Sequence, residues 1–131
     1  MKRAHRLRRP DQFRRVRREG RLSSSPLLNL SVAVSRRHRV RCGFVVTRQF
    51  GGAVERNRAK RRVREVVRLL LPSISHGYDL VIVVRSTEVL KMPFSELSQL
   101  VEQLLRRSGV WRQSLPNRLS PLNVEPSGAE G

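Results

Sequence analysis

Arg56, Asn57, Arg58, Lys60, Arg61, Arg62 and Arg64 set six cations and one amide into nine consecutive positions. A guanidinium binds phosphate through a planar fork, and an amide can hydrogen-bond a phosphate oxygen or a ribose 2′-hydroxyl. The chemistry on offer is recognition of a polyanion rather than bond breaking. Elsewhere no paired carboxylates, no nucleophile beside a base and no metal-ligand spacing stand out. Glu55 and Glu65 flank the basic run and read as capping and ion-pairing groups. His5, His38 and His76 are scattered, and the single Cys42 excludes an internal disulfide and a multi-cysteine zinc site. A nuclease chemistry carried by this chain alone would have no acid–base pair to work with.

The whole chain shares the bias. Its 131 residues carry 28 basic and 10 acidic side chains, a formal charge of +18. Self-repulsion on that scale is destabilising unless a polyanion neutralises it. All but three of the cations are Arg. An Arg-rich codon usage accounts for part of that ratio but not for the excess over acids. Nucleic acid and anionic membrane are the partner classes, and membrane is the weaker. No apolar run approaches the ~20 residues that span a bilayer. The N-terminal MKRAHRLRRPDQF lacks the apolar segment of a secretory signal. The expected compartment is the cytoplasm, and no small-molecule substrate is indicated.

The elements that must position these residues follow from periodicity. Pro10 and Asp11 predict a helix start and Gly20 its end. Phe13 and Val16 give that helix only a narrow apolar stripe. Arg21 to Pro26 is turn-like with one short strand. Leu27 to Ser35 alternates, with Leu28, Leu30, Val32 and Val34 opposite Asn29, Ser31, Ala33 and Ser35. This predicts a half-buried strand with a small, polar open face. Arg36 to Arg39 reads as an exposed turn. Val40 to Arg48 predicts a second strand, Cys42, Phe44 and Val46 opposite Gly43, Val45 and Thr47, paired antiparallel with the first.

After Gly51 and Gly52 a helix is predicted from about Glu55 to Leu71, stopped by Pro72. Tyr78 to Ser86 is nearly continuously apolar and reads as a central strand. Pro93 opens a last helix with Phe94, Leu97, Leu100, Val101, Leu104 and Leu105 on its core face and Gly109 at its end. Residues 1–110 are expected to form one domain, and the Pro- and Ser-rich 111–131 a disordered tail. The expected fold is α+β, a single-domain sandwich in the order α-β-β-β-α-β-α with helices mainly on one face of one sheet.

At ~100° per residue, Ala59, Val63, Val66, Val67 and Leu70 fall on one apolar stripe of the charged helix. Asn57, Arg61, Arg64 and Arg68 form a second stripe, centred roughly 140° from the first. An incidental basic face is the plainer alternative to a phosphate-tracking one. Solvated faces usually mix signs at i, i+4, however, and here Glu65 is the only acid near the stripe. Asn57 has two open roles, a cap for the first helical turn or a contact to RNA. The glycines ahead of it would let backbone approach a partner closely.

At these positions the run GGAVERNRAKRRVRE, Gly51 to Glu65, closely resembles the signature of the protein subunit of bacterial ribonuclease P. Leu7 to Gly20 resembles that family's first helix and Tyr78 to Arg85 its last strand. The resemblance covers roughly Leu7 to Gly109. It implies a four-stranded sheet with three helices, ribosomal-protein-like, with the basic helix in a left-handed crossover between parallel strands, against the usual hand.

It also implies that Arg48, Arg56, Asn57, Arg58, Lys60, Arg61, Arg64 and Arg68 face a catalytic RNA subunit. That RNA, with Mg²⁺, would hydrolyse precursor tRNA to release its 5′ leader. The leader would lie in a cleft between first helix and sheet, formed here by Phe13, Arg17, Val45 and Thr47. Phe13 is equally compatible with a plain core position. Three departures stand out: Arg17 and Ser31 occupy positions that are often aromatic in the family, and Gln49 one that is often basic. Leader binding would thus lean less on stacking and more on Arg. Composition alone fits a ribosomal or nucleoid protein with no catalytic partner; the Arg56 to Glu65 signature argues against it.

Overall fold

The computed structural model describes residues 3–47 and 51–112. Arg48 and the segment from residue 113 onward therefore lie outside the described residues, as do Gln49 and Phe50. The elements are α1 (Pro10–Glu19), β1 (Arg21–Ser24), β2 (Leu28–Val34), β3 (Arg41–Val46), α2 (Ala53–Leu70), β4 (Tyr78–Val84) and α3 (Phe94–Arg107). Short 3-10 turns at Leu71–Ser73 and Thr87–Leu90 flank β4. The expected α-β-β-β-α-β-α order is present.

The strands form one sheet in the order β1-β2-β4-β3. β4 is antiparallel to β2, with Leu30 opposite Ile82, and parallel to β3, with Phe44 opposite Ile82. This corrects the expected pairing of β2 with β3: β4 stands between them. The physical reason lies in β4 itself, whose last six residues, Asp79 to Val84, are buried. A strand that apolar belongs where both faces and both edges are covered. α2 forms the crossover that a parallel pair requires.

Side-chain alternation sorts the sheet into two faces. Leu28, Leu30 and Val32 of β2, Cys42 and Phe44 of β3, and Leu80, Ile82 and Val84 of β4 share the main core. Ala59, Val63, Val66 and Val67 of α2 and Leu97, Val101, Leu104 and Leu105 of α3 close it. The opposite face carries Ala33, Val81 and Val83, packed with Leu7 and Val16, with Phe13 and Val45 partly buried beside them.

The second face corrects another expectation. β2 was to keep a polar open side, but α1 covers it and Ser31 and Ala33 are buried. Two residues assigned to the core sit outside it: Val34 is 75% exposed at the end of β2, and Phe94 is 37% exposed in the first turn of α3. Both lie at element ends, where the periodic stripe runs past its neighbours.

α1 is placed by specific contacts rather than by apolar area. Pro10 fills its first position, and the Gln12 side chain accepts the Arg8 and Arg9 backbone N–H groups at 3.0 and 3.1 Å. At its end the Gly20 N–H donates to Val16 O at 2.8 Å. A Cβ on Gly20 would stand 2.5 Å from Val16 O and 2.6 Å from Val32 O, so helix and strand approach only because no side chain intervenes.

Candidate nucleic-acid interface

α2 starts at Ala53 with Gly52 as N-cap, which puts exposed Asn57 in the second turn. The capping role for Asn57 is thereby excluded. Asn57, Lys60, Arg61 and Arg64 line a shallow depression of about 260 Å³ on the helix surface. Arg58 is exposed beside it. The valine stripe of α2 faces the sheet; Arg58 and Arg61 are exposed to solvent, whereas Lys60 and Arg64 are half-buried along the β3 edge.

Not every cation is equally available. Arg56 Nη1 donates to Gly51 O at 2.7 Å, closing the loop ahead of the helix. Arg62 Nη1 donates to Val89 O at 2.7 Å and so belongs to packing. Arg68 is tied to Glu65, with Nε donating to Oε1 at 3.0 Å. That pair lowers the Glu65 pKa below the ordinary carboxylate range. The far end of the basic stripe is thus partly neutralised.

Arg64 is the most constrained member. Its Cζ lies 5.7 Å from the Phe44 ring centroid, a cation–π distance. Its Nε is buried without a hydrogen-bond partner among the described residues. Burial, and then the charges of Arg6 and Arg61, lower its pKa from the usual guanidinium value. Like charges crowd here with no acid among them.

Beside this face, on the outer edge of β3, a cleft of about 400 Å³ is lined by Phe13, Phe44, Val45, Val46, Arg56, Asn57 and Lys60. The Phe13 ring packs against the second core and also lines the cleft. The ring can sit there because Gly43 lies beneath it, where a Cβ would come within 2.4 Å of the ring. Gly43→Ala is therefore expected to displace Phe13, cost ~1–3 kcal/mol by overpacking and narrow the cleft. Thermal melting would register the loss, and an unshifted midpoint would contradict the contact.

Of the other residues expected in the cleft, Val45 lines it, whereas Arg17 and Thr47 do not. Arg17 is exposed on α1. Thr47 keeps its strand bond, N–H to Val84 O at 3.3 Å, and its Oγ1 is buried without a partner among the described residues. Arg48 follows it outside the described residues.

Sequence reasoning missed a residue that ties α1 to the sheet. Asp79, 0% exposed, accepts from Arg41 Nε at 2.9 Å and Nη2 at 2.8 Å, and from Arg15 of α1. The hydrogen bonds from Arg41 to this carboxylate raise its guanidinium pKa above the usual value. The signal was present: Asp79 is the one acid in the otherwise apolar Tyr78–Val84 run. Cys42, also buried, has its thiol pKa pushed up by burial and stays protonated. Among the described residues no group of three His, Cys, Asp or Glu is placed to hold a metal, and no helix is long and apolar enough to cross a membrane.

Fold and surface together define a small, strongly basic α+β protein with clusters of cations along its β3 edge. The sequence model of the family described as Ribonuclease P matches residues 1–109. The ribonuclease P protein component of Chloroflexus aurantiacus is 53% identical over 126 residues, 96% of this chain and 93% of its own length. The solved RNase P protein from Thermotoga maritima is 30% identical with a TM-score of 0.71, covering 78% of this chain and 96% of its own. That from Staphylococcus aureus, 21% identical, has a TM-score of 0.72 over 82% of this chain and 97% of its own, and shares the fold. The chain belongs to the ribonuclease P protein family, the protein subunits of a tRNA-processing ribonucleoprotein.

Proposed function

We propose that this subunit binds a catalytic RNA through the outward face of α2 and the single-stranded 5′ leader of precursor tRNA through the Phe13 cleft. The observation that carries the reading is the adjacency of the two surfaces. Asn57 and Lys60 line both the cleft and the α2 depression, so a strand in one touches the other. Asn57, Lys60, Arg61 and Arg64 form the centre of the RNA face, with Arg58 beside it and Arg56 at the cleft mouth. Arg68 extends the face where its pairing with Glu65 opens; Arg48, which the family resemblance adds to the RNA contacts, lies outside the described residues.

The protein's own work is electrostatic and positional. Its cations reduce repulsion between two RNAs and release counterions from each phosphate they contact. The cleft offers one aromatic ring and aliphatic walls, enough to hold a strand with little preference for base sequence. Mg²⁺ bound by the RNA supplies activation of the hydrolytic water. The surface lined by Arg and Lys is not a cation site, so the protein raises metal affinity only through the RNA it folds against. The reading places the protein in the cytoplasm with its substrate.

The test is direct. The purified chain, added to the RNA subunit at low Mg²⁺, is expected to stimulate release of the 5′ leader from precursor tRNA. Absence of stimulation would move the assignment to a structural RNA-binding protein without a catalytic partner.

A further inference from the structure

A second basic site stands at the opposite end of the β3 edge from the Phe13 cleft. Arg6, Arg8, Arg9, Arg37, Arg39 and Arg41 surround an open cavity of about 330 Å³, formed where the segment before α1 meets the turn between β2 and β3. No acid lines it. Arg9 has Asp11 at 3.4 Å and Arg41 has Asp79, but Arg8, Arg37 and Arg39 have no acidic partner among the described residues. Six like charges around one cavity repel in the free protein, and only a bound anion turns that repulsion into attraction.

The walls are fixed before any ligand arrives. The Arg6 backbone bridges Cys42 beside β3, and the Leu7 N–H donates to Cys42 O at 3.0 Å. The His5 ring pairs with Val40 O at 2.7 Å. Gln12 holds the Arg8 and Arg9 backbone, and Asp79 fixes Arg41. Arg6 Nε is buried with no hydrogen-bond partner among the described residues, the same condition as Arg64 Nε on the α2 face. The two stand close along the strand: Arg6 pairs with Cys42, and Arg64 lies over Phe44, two residues further on.

We infer that this arginine cavity is a second phosphodiester-binding site, which continues the RNA track of α2 around the β3 edge to the turn at Arg37–Arg39. It rests on the function proposed above. The lining contains no aromatic and little apolar surface, so the site holds backbone phosphates and reads no base. Arg41 and Val45 stand four strand steps apart on β3, roughly 13 Å at strand rise, which separates this site from the cleft. The phosphates come from the RNA subunit or from the leader of the precursor, and the experiment separates the two.

Arg8, Arg37 and Arg39 are exposed, so Arg8→Gln/Arg37→Gln/Arg39→Gln in the full chain should fold, with a melting midpoint equal to or slightly above that of the wild type as repulsion is relieved. Binding is measured across salt in two settings: to the RNA subunit, and as holoenzyme to precursor tRNA. In one of them the triple variant is expected to bind about tenfold or more weakly and to flatten the log–log salt slope by roughly 2. The RNA that responds names the source of the phosphates. Arg85→Gln/Arg107→Gln/Arg112→Gln removes the same charge at residues that bond only backbone carbonyls and line neither site, and should change both slopes much less.

Equal effects of the two triple variants, or no effect of either, overturn the site. The α2 variant Arg61→Ala/Arg64→Ala, run alongside, separates the two readings. If it flattens the slope while the cavity variant does not, only the second site fails. If neither responds, the RNA face of α2 fails as well.

Discussion

Asp79→Ala is expected to remove about 3–5 kcal/mol of stability, the range for breaking a buried ion pair from one side. For a domain whose total lies at ~5–15 kcal/mol, that is a large share. The size follows from where the three groups sit. Asp79 is 0% exposed, and the Arg41 and Arg15 side chains are 13% and 32% exposed, so water cannot fully replace the lost carboxylate. α1 depends on the pair more than a typical helix would, because Val16 is its only fully buried side chain. Without Asp79 two guanidiniums face each other against the sheet, and the helix that carries Phe13 loses its anchor. Asp79→Asn keeps the shape and an acceptor oxygen and should lose less. Urea unfolding followed through the single tryptophan, Trp111, measures both. A loss below ~1 kcal/mol for the alanine variant would mean that the triad is screened like a surface pair.

Arg61→Ala/Arg64→Ala should have the largest effect on RNA binding. Each phosphate contact contributes ~0.7–0.9 to the log–log salt slope, so losing two should flatten it by roughly 1.5. Stability should move little and in opposing directions. Removing Arg64 relieves its repulsion with Arg6 and Arg61 but forfeits the contact over Phe44, worth ~0.5–1 kcal/mol. Lys at both positions should restore most of the slope and less of the affinity, since an ammonium is a point charge without the fork. Titration of the RNA subunit with each variant across salt gives slope and affinity together. Superimposable curves for wild type and double alanine would remove α2 from the RNA face.

Much of this was legible because it is local. The two stripes of α2 follow from helical period alone, and α1 lies between Pro10 and Gly20 as the caps require. The faces of β2 and β3 follow from alternation, and β4 was recognisable as central from its unbroken apolar run. What was not legible is pairing at a distance. β2 and β3 are neighbours in sequence and looked like a hairpin, yet β4 offers both a better-buried partner. The availability of individual cations was equally hidden. Arg62 and Arg68 look alike in sequence, but one caps Val89 O and the other is held by Glu65. Asp79 stood in plain view, yet its partners come from α1 and β3, and no sequence spacing connects them.

The insertion of β4 also sets a timetable. β2 and β3 leave the ribosome before the strand that joins them exists. Until Tyr78–Val84 has been made, the β1–β2 hairpin is the only strand pair of the described sheet that can form. Native contacts such as Leu28 with Val84 must close a long loop, which slows assembly. Through that interval the valines of α2 have only part of a sheet to pack on, and charge repulsion is what keeps unfinished chains apart. A product that stops before β4 lacks the strand that joins β2 to β3, so the described sheet can close only after Tyr78–Val84 has emerged.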